Sequence, residues 1–239
     1  MRLSLLLPTY NEAENLEALV KALLALSITG LEIIIIDDNS PDGTGQLADR
    51  LASQLATVSV IHRLAKAGLG PAYLAGFAEV SQRQADLVIE MDSDFSHQPS
   101  DLPRLLAAAN QADVVIGSRY VQGGGVENWN ALRRLISRFG NWYARLILNL
   151  PIRDLTAGFV VYRRPVLDSL DLSSISSLGY NFQIEMKAKA SWQGWRLVEV
   201  PIIFRERRGN RSKFSIGIML ESFIKVLKLR NSRDFKDKK

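Results

Sequence analysis

The chain has 239 residues, of which 47% are hydrophobic and 23% are charged, a composition typical of globular proteins. A length of this order favours a single α/β domain. The absence of cysteine excludes a disulfide framework and a thiolate metal site, and two histidines argue against an imidazole site. Any bound metal is therefore expected to have oxygen ligands, which favours Mg²⁺ or Mn²⁺.

The net charge of +5 is unevenly distributed along the chain. From Pro201 onward, 12 Lys and Arg face 4 Asp and Glu, a balance of +8 that leaves −3 for residues 1–200. A mildly acidic body with a basic C-terminal segment predicts an anionic partner. Phosphates, lipid headgroups and nucleic acid all remain open at this point.

The apolar opening of the chain, residues 3–7, predicts a buried first strand. It is too short for a signal peptide, because a polar segment that begins at Pro8 follows directly. No apolar run reaches the ~18 residues that a transmembrane helix needs. We therefore expect a cytoplasmic location.

Short apolar runs alternate with helical patterns over the first 120 residues. Strands are predicted at 3–7, 32–36, 58–61, 87–91 and 114–116, and helices at 14–26, 44–55, 70–83 and 101–109. This alternation predicts a mostly parallel sheet with helices on both faces. Ligands of such sheets bind at the carboxyl ends of the strands.

The second half of the chain is less regular. Glycines 123–125 predict a flexible loop, and a helix is predicted at 131–149. Strands at 159–162 and 197–204 flank a helix at 182–192, and a mobile basic loop at 205–213 precedes a terminal helix at 214–230. We expect one domain over 1–213, followed by an amphipathic helix and basic tail at 214–239.

Acidic side chains follow two of the predicted strands. Asp92 and Asp94 end the strand 87–91, and residues two apart point the same way, so both carboxylates are able to face one cleft. Such a pair holds a hard divalent cation that bridges phosphates, although a solvated turn explains it equally well when it is considered alone. Asp37 and Asp38 end the second strand, and one of them is a candidate to accept hydrogen bonds from a nucleobase.

Eight short motifs, spread in order from residue 7 to residue 213, together resemble those of a known protein family. They are LPTYNE at 7–12, IDDNSPDGT at 36–44, KAGLGPA at 66–72, MDSDFSH at 91–97, GSRY at 117–120, DLTAGF at 154–159, GYNFQIE at 179–185 and the segment from Arg207 to Lys213. With these motifs the chain resembles the family 2 glycosyltransferases, in particular the dolichol-phosphate or polyprenol-phosphate mannose synthases. The resemblance implies a GT-A fold, a Rossmann-like α/β sheet with helices on both faces.

The resemblance also implies roles for individual residues. Those implied for nucleotide-sugar binding are Pro8, Tyr10, Glu12, Ile36, Asp38, Lys66, Gly68, Asp92, Ser93 and Asp94. The implied metal ligands are Asp92 and Asp94, the latter being the principal one. The implied catalytic set is Asp94 with the phosphate-contacting cations Arg119, Arg207 and Lys213, and the implied acceptor-phosphate set is Arg119, Arg133 and Ser137. Ser96 replaces a glutamine of some relatives, which puts a third side-chain metal ligand in doubt.

The implied reaction is inverting transfer of a hexose, mannose from GDP-mannose, to a polyprenyl or dolichyl monophosphate, which gives a β-linked lipid phosphosugar. Because the second pKa of a phosphate monoester is ~6, the acceptor needs no strong base. The loop 205–213 would then act as a lid that excludes water. Gln183 and Glu185 fit a sugar pocket and a structural role equally well.

The lipid acceptor implies peripheral contact with the cytoplasmic face of a membrane. The helix 131–149 combines bulky apolar residues with arginines, a pattern that favours a helix at the membrane interface. The apolar stripe on 216–227 fits membrane contact and core packing equally well. A membrane partner subunit is compatible with this arrangement. One alternative is transfer of glucose from UDP-glucose to undecaprenyl phosphate. Another is a basic protein that binds membranes or nucleic acid without catalysis, but the acids at the strand ends would repel a polyanion, so no nucleic acid is expected.

Overall fold

A computed structural model describes residues 1–175, 177, 179–206 and 216–232 of the chain. The described residues form these strands: β1 (Leu3–Thr9), β2 (Leu31–Asp37), β3 (Val58–His62), β4 (Leu87–Glu90), β5 (Val114–Ser118), β6 (Gly125–Glu127), β7 (Val160–Arg163), β8 (Leu197–Pro201) and β9 (Ile203–Arg205). They form these α-helices: α1 (Leu16–Ala25), α2 (Thr44–Gln54), α3 (Leu69–Arg83), α4 (Leu102–Ala108), α5 (Ala131–Leu148), α6 (Arg164–Ser169), α7 (Tyr180–Trp192) and α8 (Ile216–Arg230).

A seven-stranded sheet with the order β3-β2-β1-β4-β7-β5-β8 forms the centre of the molecule. β7 runs antiparallel to both of its neighbours, and the other neighbouring strands are parallel. The predicted mostly parallel α/β sheet is thus confirmed. β6 and β9 form a separate parallel pair at the edge of the fold.

The core has two layers because successive strand residues point to opposite faces of the sheet. Leu6 and Ile34 pack with α3, α5, α6 and α7 on one face, whereas Leu5 and Ile33 pack with α1, α2 and α4 on the other. These four side chains have no exposed surface, and burial of each contributes about 1.5–3 kcal/mol. α8 packs against α5 and α7 and adds Val226 to the first layer.

Two of the predicted elements are wrong in detail. The predicted strand 197–204 is not one strand, because the chain leaves the main sheet after Pro201, and β9 then pairs with β6. Ile202 between the two strands is buried, donates to the Ser118 carbonyl and accepts from Gly125. The glycines at 123–125 are not simply a flexible loop, since Gly125 begins β6.

The remaining predicted helices and strands agree with the structure to within a few residues at each end. In the predicted basic loop 205–213, residues from Arg207 onward lie outside the described residues, as do 214–215 of the predicted terminal helix and the tail from 233. None of the helices that the structure describes is long and apolar enough to cross a membrane.

Candidate active site

Of the acids predicted at the strand ends, Asp38, Asp92 and Asp94 line one cleft of about 240 Å³. It forms where β1, β2 and β4 end and where α3 begins, the edge at which parallel sheets bind their ligands. The predicted nucleotide-sugar residues that line it are Pro8, Tyr10, Glu12, Asp38, Lys66, Gly68, Asp92, Ser93 and Asp94. Ile36, the remaining member of that set, is fully buried in the core and does not line the cleft.

Polar contacts fix the walls of this cleft. The Lys66 amine lies 3.6 Å from the centre of the Tyr10 ring, a cation–π contact across the entrance. The Asp38 carboxylate accepts from Arg63 at 2.5 Å, and the Ser93 hydroxyl donates to the Pro8 carbonyl at 2.8 Å. The cleft therefore has a defined shape before any ligand binds.

Asp37 and Asp38 have different surroundings. Asp37 accepts from the backbone N–H of Ser40 at 3.1 Å and from its hydroxyl at 2.5 Å, so its oxygens hold the turn that follows β2. Asp38, in contrast, lines the cleft. Of the two adjacent acids, Asp38 is thus the candidate for contact with a nucleobase.

Asp92 and Asp94 are oriented by the turn that follows β4. The backbone N–H of Ser96 donates to Asp94 Oδ1 at 3.0 Å, and the backbone N–H of Asp92 donates to His97 Nδ1 at 3.1 Å. Because His97 accepts through Nδ1, its ring proton belongs on Nε2. Phe95, which follows Asp94, has φ +61°, the left-handed conformation that lets the chain turn so tightly.

The electrostatics of this turn favour a bound cation. Burial raises the pKa of Asp92, and the negative charge of Asp94 adds to that rise, while His97 and Arg119 oppose it. Burial also lowers the pKa of His97, which weakens the positive charge that the imidazole places beside the acids. Two repelling carboxylates fit a hard divalent cation with oxygen ligands. In the part of the chain that the structure describes, no cluster of three or more potential His, Cys, Asp or Glu ligands occurs.

His97 is a residue whose role the sequence did not reveal. It is buried, with 2% of its surface exposed, and its ring packs between those of Phe159 and Phe204 at 5.2 and 5.5 Å. The sequence MDSDFSH contained it, but a histidine count argues only about metal ligands. Its observed position makes it a support for the backbone of Asp92.

The predicted acceptor-phosphate residues Arg119, Arg133 and Ser137 line a second cavity, of about 100 Å³. The rest of its wall is mostly apolar and comes from α5, α7 and α8, including Ile136 and Val226. The structure thus brings these three residues together. Arg207 and Lys213, the other predicted phosphate-contacting cations, lie outside the described residues.

Arg119 is held by an acid that the sequence analysis did not assign. Its Nε and Nη2 donate to the two carboxylate oxygens of Asp154 at 2.8 and 2.6 Å, and Nη2 also donates to the Thr156 hydroxyl at 2.7 Å. Burial alone would raise the pKa of Asp154, but the charge and hydrogen bonds of Arg119 outweigh it and hold that pKa below its usual value. Arg119 is therefore a fixed cation.

Arg133 and Ser137 project from α5 at the same cavity. The Arg133 guanidinium stacks 4.1 Å from the centre of the Trp129 ring and pairs with Glu206. The Ser137 hydroxyl accepts from Tyr120 at 2.6 Å. These contacts hold both side chains in the wall of the cavity.

The segment 154–158, which follows α5 and leads into β7, connects the cleft to the cavity. At its first end Asp154 holds Arg119, and Thr156 lines the cavity. At its other end a Cβ on Gly158 would lie 3.5 Å from Asp92 Oδ1, so this backbone packs directly against the metal-binding candidate. We call residues 154–158 the junction loop.

Two buried side chains fix the junction loop. Asn141 Oδ1 accepts from the backbone N–H groups of Leu155 and Thr156 at 2.8 and 3.2 Å. The Lys187 amine donates to the Ala157 carbonyl at 2.7 Å. Neither residue was predicted from the sequence, because an asparagine and a lysine on amphipathic-looking helices are usually solvated.

Gln183 belongs to the same buried network and not to a sugar pocket. Its amide donates to Glu90 at 2.8 Å and its Oε1 accepts from Lys187 at 2.8 Å, with no exposed surface. Burial raises the pKa of Glu90 and lowers that of Lys187, and each partner's charge works against the shift. Glu185 is also buried, with 5% of its surface exposed.

Fold and site together define an α/β protein with a polar cleft at the carboxyl ends of its strands, where such sheets bind nucleotides, and a second, apolar cavity linked to that cleft by the junction loop. The sequence profile of the family described as "Glycosyl transferase family 2" matches residues 4–171. The chain belongs to that family.

Full-length relatives narrow the comparison. The chain is 46% identical over 226 residues to the undecaprenyl-phosphate mannosyltransferase of Micrococcus luteus, with 95% of this chain and 93% of that protein covered. It is 47% identical over 227 residues to the polyprenol monophosphomannose synthase of Mycolicibacterium smegmatis, at 94% and 85% coverage. The dolichol-phosphate mannosyltransferase of Pyrococcus furiosus is 37% identical over 233 residues, and there the chain covers 64% of a longer protein.

Solved structures confirm the fold. Glucosyl-3-phosphoglycerate synthase from Mycobacterium tuberculosis, in complex with Mn²⁺, UDP-glucose and phosphoglyceric acid, superimposes with a TM-score of 0.72. The match covers 96% of this chain and 80% of that one at 20% identity, a level that speaks for the fold alone. The chain thus has the GT-A fold that its motifs implied.

Proposed function

We propose that this protein transfers mannose from a nucleotide sugar, GDP-mannose, to a polyprenyl monophosphate. The observation that carries the proposal is the link, through the junction loop, between two cavities of different chemistry: an acidic cleft at the strand ends and an apolar cavity whose wall holds Arg119 and Arg133 beside the Trp129 ring. Two relatives that are 46% and 47% identical over nearly the whole chain carry names for this activity. Mannose, and not another hexose, follows from those names.

The donor would occupy the strand-end cleft. Asp38 and Glu12 lie where a nucleobase and ribose would be recognised, and Lys66 offers a cation to the phosphates. Asp92 and Asp94 would hold Mg²⁺ or Mn²⁺, which supplies positive charge that stabilises the departing diphosphate. Side chains from four segments of the chain would thus contact one ligand.

The acceptor would occupy the apolar cavity with its phosphate beside the two arginines. Because Nε and Nη2 of Arg119 already bind Asp154 and Thr156, its Nη1 would meet a phosphate oxygen. Arg133 and the Ser137 hydroxyl would bind the other oxygens, and the isoprenoid would lie along Ile136 and Val226. An apolar cavity with cations in its wall matches a lipid phosphate better than a sugar hydroxyl.

The reaction is a direct displacement. A phosphate oxygen of the acceptor forms a bond to the anomeric carbon while the bond from that carbon to the nucleoside diphosphate breaks. Since the acceptor dianion is already present near neutral pH, no side chain has to remove a proton. Attack from the face opposite the diphosphate inverts the configuration and gives a β-linked product from an α-linked donor.

Arg207 and Lys213 retain the roles that the family resemblance implies, namely contact with the phosphates. Both belong to a segment outside the described residues, so the proposal for them rests on sequence alone. The same holds for the role of 205–213 as a lid.

One face of α5 exposes large apolar side chains, as expected of a helix that contacts the membrane in which the lipid acceptor lies. Five large apolar side chains on this face are between 49% and 66% exposed: Leu132, Leu135, Phe139, Trp142 and Leu146. Their spacing of three or four residues puts them on one side of the helix, and we call them the apolar stripe. Ile224 and Leu227 of α8 are exposed as well. We propose that this stripe lies in the interfacial layer of a membrane; contact with a membrane partner subunit is a further proposal.

The test of the proposed activity is a transfer assay with a panel of donors. Radiolabelled GDP-mannose and UDP-glucose are incubated separately with polyprenyl phosphate and Mg²⁺ or Mn²⁺, and labelled lipid is quantified. GDP-mannose is expected to give labelled lipid, and label from UDP-glucose instead would establish the glucosyl alternative.

Asp94→Asn tests the site in the same assay. It should reduce transfer by about 100-fold or more, because it removes charge that stabilises the transition state. Asp168→Asn is the matched control, since Asp168 is an exposed acid on α6 that lines neither cavity. Full activity of Asp94→Asn with the metal chelated would contradict the proposed site. Anion binding without any transfer would favour the non-enzymatic alternative.

A further inference from the structure

A third cavity, of about 210 Å³, lies beside the acceptor cavity on the outer side of α5. Its lining residues are Tyr120, Arg138, Asn141, Trp142, Arg145 and Arg153. Three of the six are arginines and none is acidic. We call this cavity the basic cleft.

The three arginines of the basic cleft differ from the neighbouring arginines in their ion pairing. Within the described residues, Arg138, Arg145 and Arg153 form no ion pair, whereas Arg119 and Arg133 next door are paired with Asp154 and Glu206. The carboxylate of Glu199 contacts the backbone of Arg153 and not its guanidinium group. It accepts from the backbone N–H groups of Arg153 and Asp154 and from the Ser118 hydroxyl. Three guanidinium groups around one cavity repel each other, and an anion between them would relieve that repulsion.

Contacts within the cleft leave its guanidinium groups largely open. Arg138 lies 6.0 Å from the centre of the Tyr120 ring, a loose cation–π contact. Arg145 donates only a long hydrogen bond, 3.4 Å, to the Leu150 carbonyl. Arginine's planar fork suits the oxygens of a phosphate.

The position of the basic cleft indicates the source of that phosphate. Arg138, Trp142 and Arg145 follow each other at helical spacing on α5, and Trp142 belongs also to the apolar stripe. When the stripe enters a bilayer, the arginines beside it lie at the depth of the headgroups, where arginine and tryptophan both are favoured. This placement brings the arginines close to lipid headgroups, whereas it gives no advantage in binding a phosphate dissolved in water.

We propose that the basic cleft binds the phosphate of an anionic phospholipid headgroup, at a site separate from the acceptor cavity. The inference rests on the proposed membrane contact of the apolar stripe and adds a chemically selective element to it. Asn141 lines both the basic cleft and the acceptor cavity. A phospholipid bound there would hold the opening of the acceptor cavity against the bilayer.

The test compares two triple variants of the full chain with equal changes in charge. Arg138→Gln/Arg145→Gln/Arg153→Gln removes the basic cleft. The control, Arg2→Gln/Arg50→Gln/Arg196→Gln, removes three exposed arginines, two of which lie just before β1 and β8 at the opposite edge of the sheet. Binding is measured by sedimentation with vesicles of phosphatidylcholine alone and with about a third phosphatidylglycerol.

The wild-type protein and the control are expected to bind the anionic vesicles alike and more tightly than the neutral ones. The basic-cleft variant should lose roughly 100-fold in affinity for the anionic vesicles, as each arginine near the surface contributes about one factor of five. Its affinity for neutral vesicles should not change. Equal loss in both triple variants would show a general charge effect and overturn the proposal, as would wild-type binding by the basic-cleft variant.

Transfer assays separate this inference from the proposed function. In a non-ionic detergent with a short polyprenyl phosphate, the basic-cleft variant should retain wild-type activity within about a factor of two. A large loss there would show that these arginines serve the acceptor and not a headgroup, which overturns the proposal. Failure of the wild-type enzyme with every donor would refute the proposed function while the vesicle measurements still decide the headgroup site.

Discussion

Asn141→Ala offers a sharp test of the junction loop. The Asn141 side chain is 2% exposed and makes four hydrogen bonds, to Ser137, Leu155 and twice to Thr156. In the alanine variant the buried backbone N–H of Leu155 loses its acceptor. The backbone N–H of Thr156, which is partly exposed, loses its acceptor as well. An unsatisfied buried group costs about 1–3 kcal/mol, so two such groups, one of them partly exposed, should cost about 2–4 kcal/mol.

Urea unfolding measures this loss directly. In a chain of this size each kcal/mol corresponds to roughly 2–4 °C in Tm, so a thermal scan should shift by about 4–16 °C. Asn110→Ala is the matched control, because Asn110 is an exposed asparagine after α4 and its loss should stay within ~0.5 kcal/mol. A loss below about 1 kcal/mol for Asn141→Ala would refute the reasoning that these backbone groups depend on Asn141.

Three further predictions concern the neighbourhood of the same site. Lys187→Met should lose about 3–5 kcal/mol in urea unfolding, because it leaves the Ala157 carbonyl and Gln183 Oε1 without their donor and removes the positive charge that offsets the buried Glu90. The double variant with Glu90→Gln should regain the electrostatic part of that loss, and no recovery would contradict this charge interaction. Gly124→Ala should lower the free energy of unfolding, measured in urea, by about 1–3 kcal/mol, since its Cβ would lie 2.5 Å from the Ser118 carbonyl oxygen. Gly140→Ala, with open space around its Cβ, should leave that free energy unchanged or raise it by about 1 kcal/mol. Because Arg119 lowers the pKa of Asp154, the stability that this pair provides is present above the unfolded pKa of about 3.9 and is lost as pH falls through the folded value. The stability gap between wild type and Asp154→Asn in urea should therefore narrow below about pH 4, and a constant gap would count against this interpretation.

The strands were predictable because each buried strand of a parallel sheet is a short apolar run. The isoleucines of β2 are an example, since both faces of that strand are covered. The acids at the strand ends were predictable for a related reason: the polar residue that interrupts such a run lies at the edge where ligands bind. Local sequence is sufficient for both features.

Pairing between distant segments was not predictable from local sequence. Nothing in the sequence of β7 shows that it enters the sheet antiparallel between β4 and β5. The run 197–204 is apolar apart from Glu199, and although Pro201 ends its first strand, nothing in the local sequence identifies β6 as the partner of its second strand. The partner of Arg119 is 35 residues away in sequence, and only the folded chain brings it close.

Lys187 shows most clearly why the junction loop escaped prediction. Its helix, α7, contains two lysines and a glutamate, and such a helix is usually solvated on one face. In the structure Lys187 has no exposed surface and Lys189 and Glu185 are also buried. A lysine is buried in this way only when its amine has partners, and those partners, Ala157 and Gln183, are fixed by tertiary packing.

Direct displacement sets a strict requirement on the distance between the two cavities. The attacking oxygen, the anomeric carbon and the leaving oxygen have to lie in line, and an error of about 1 Å costs on the order of 100-fold in rate. Asp92 belongs to the turn after β4 and Arg119 to the end of β5, two strands that are not neighbours, because β7 lies between them. The junction loop leads directly into β7 and contacts both residues. Since Asn141 and Lys187 fix this loop from two different helices, the proposed donor and acceptor sites are held in register by buried hydrogen bonds, and this accounts for polar side chains in a core that would otherwise be apolar.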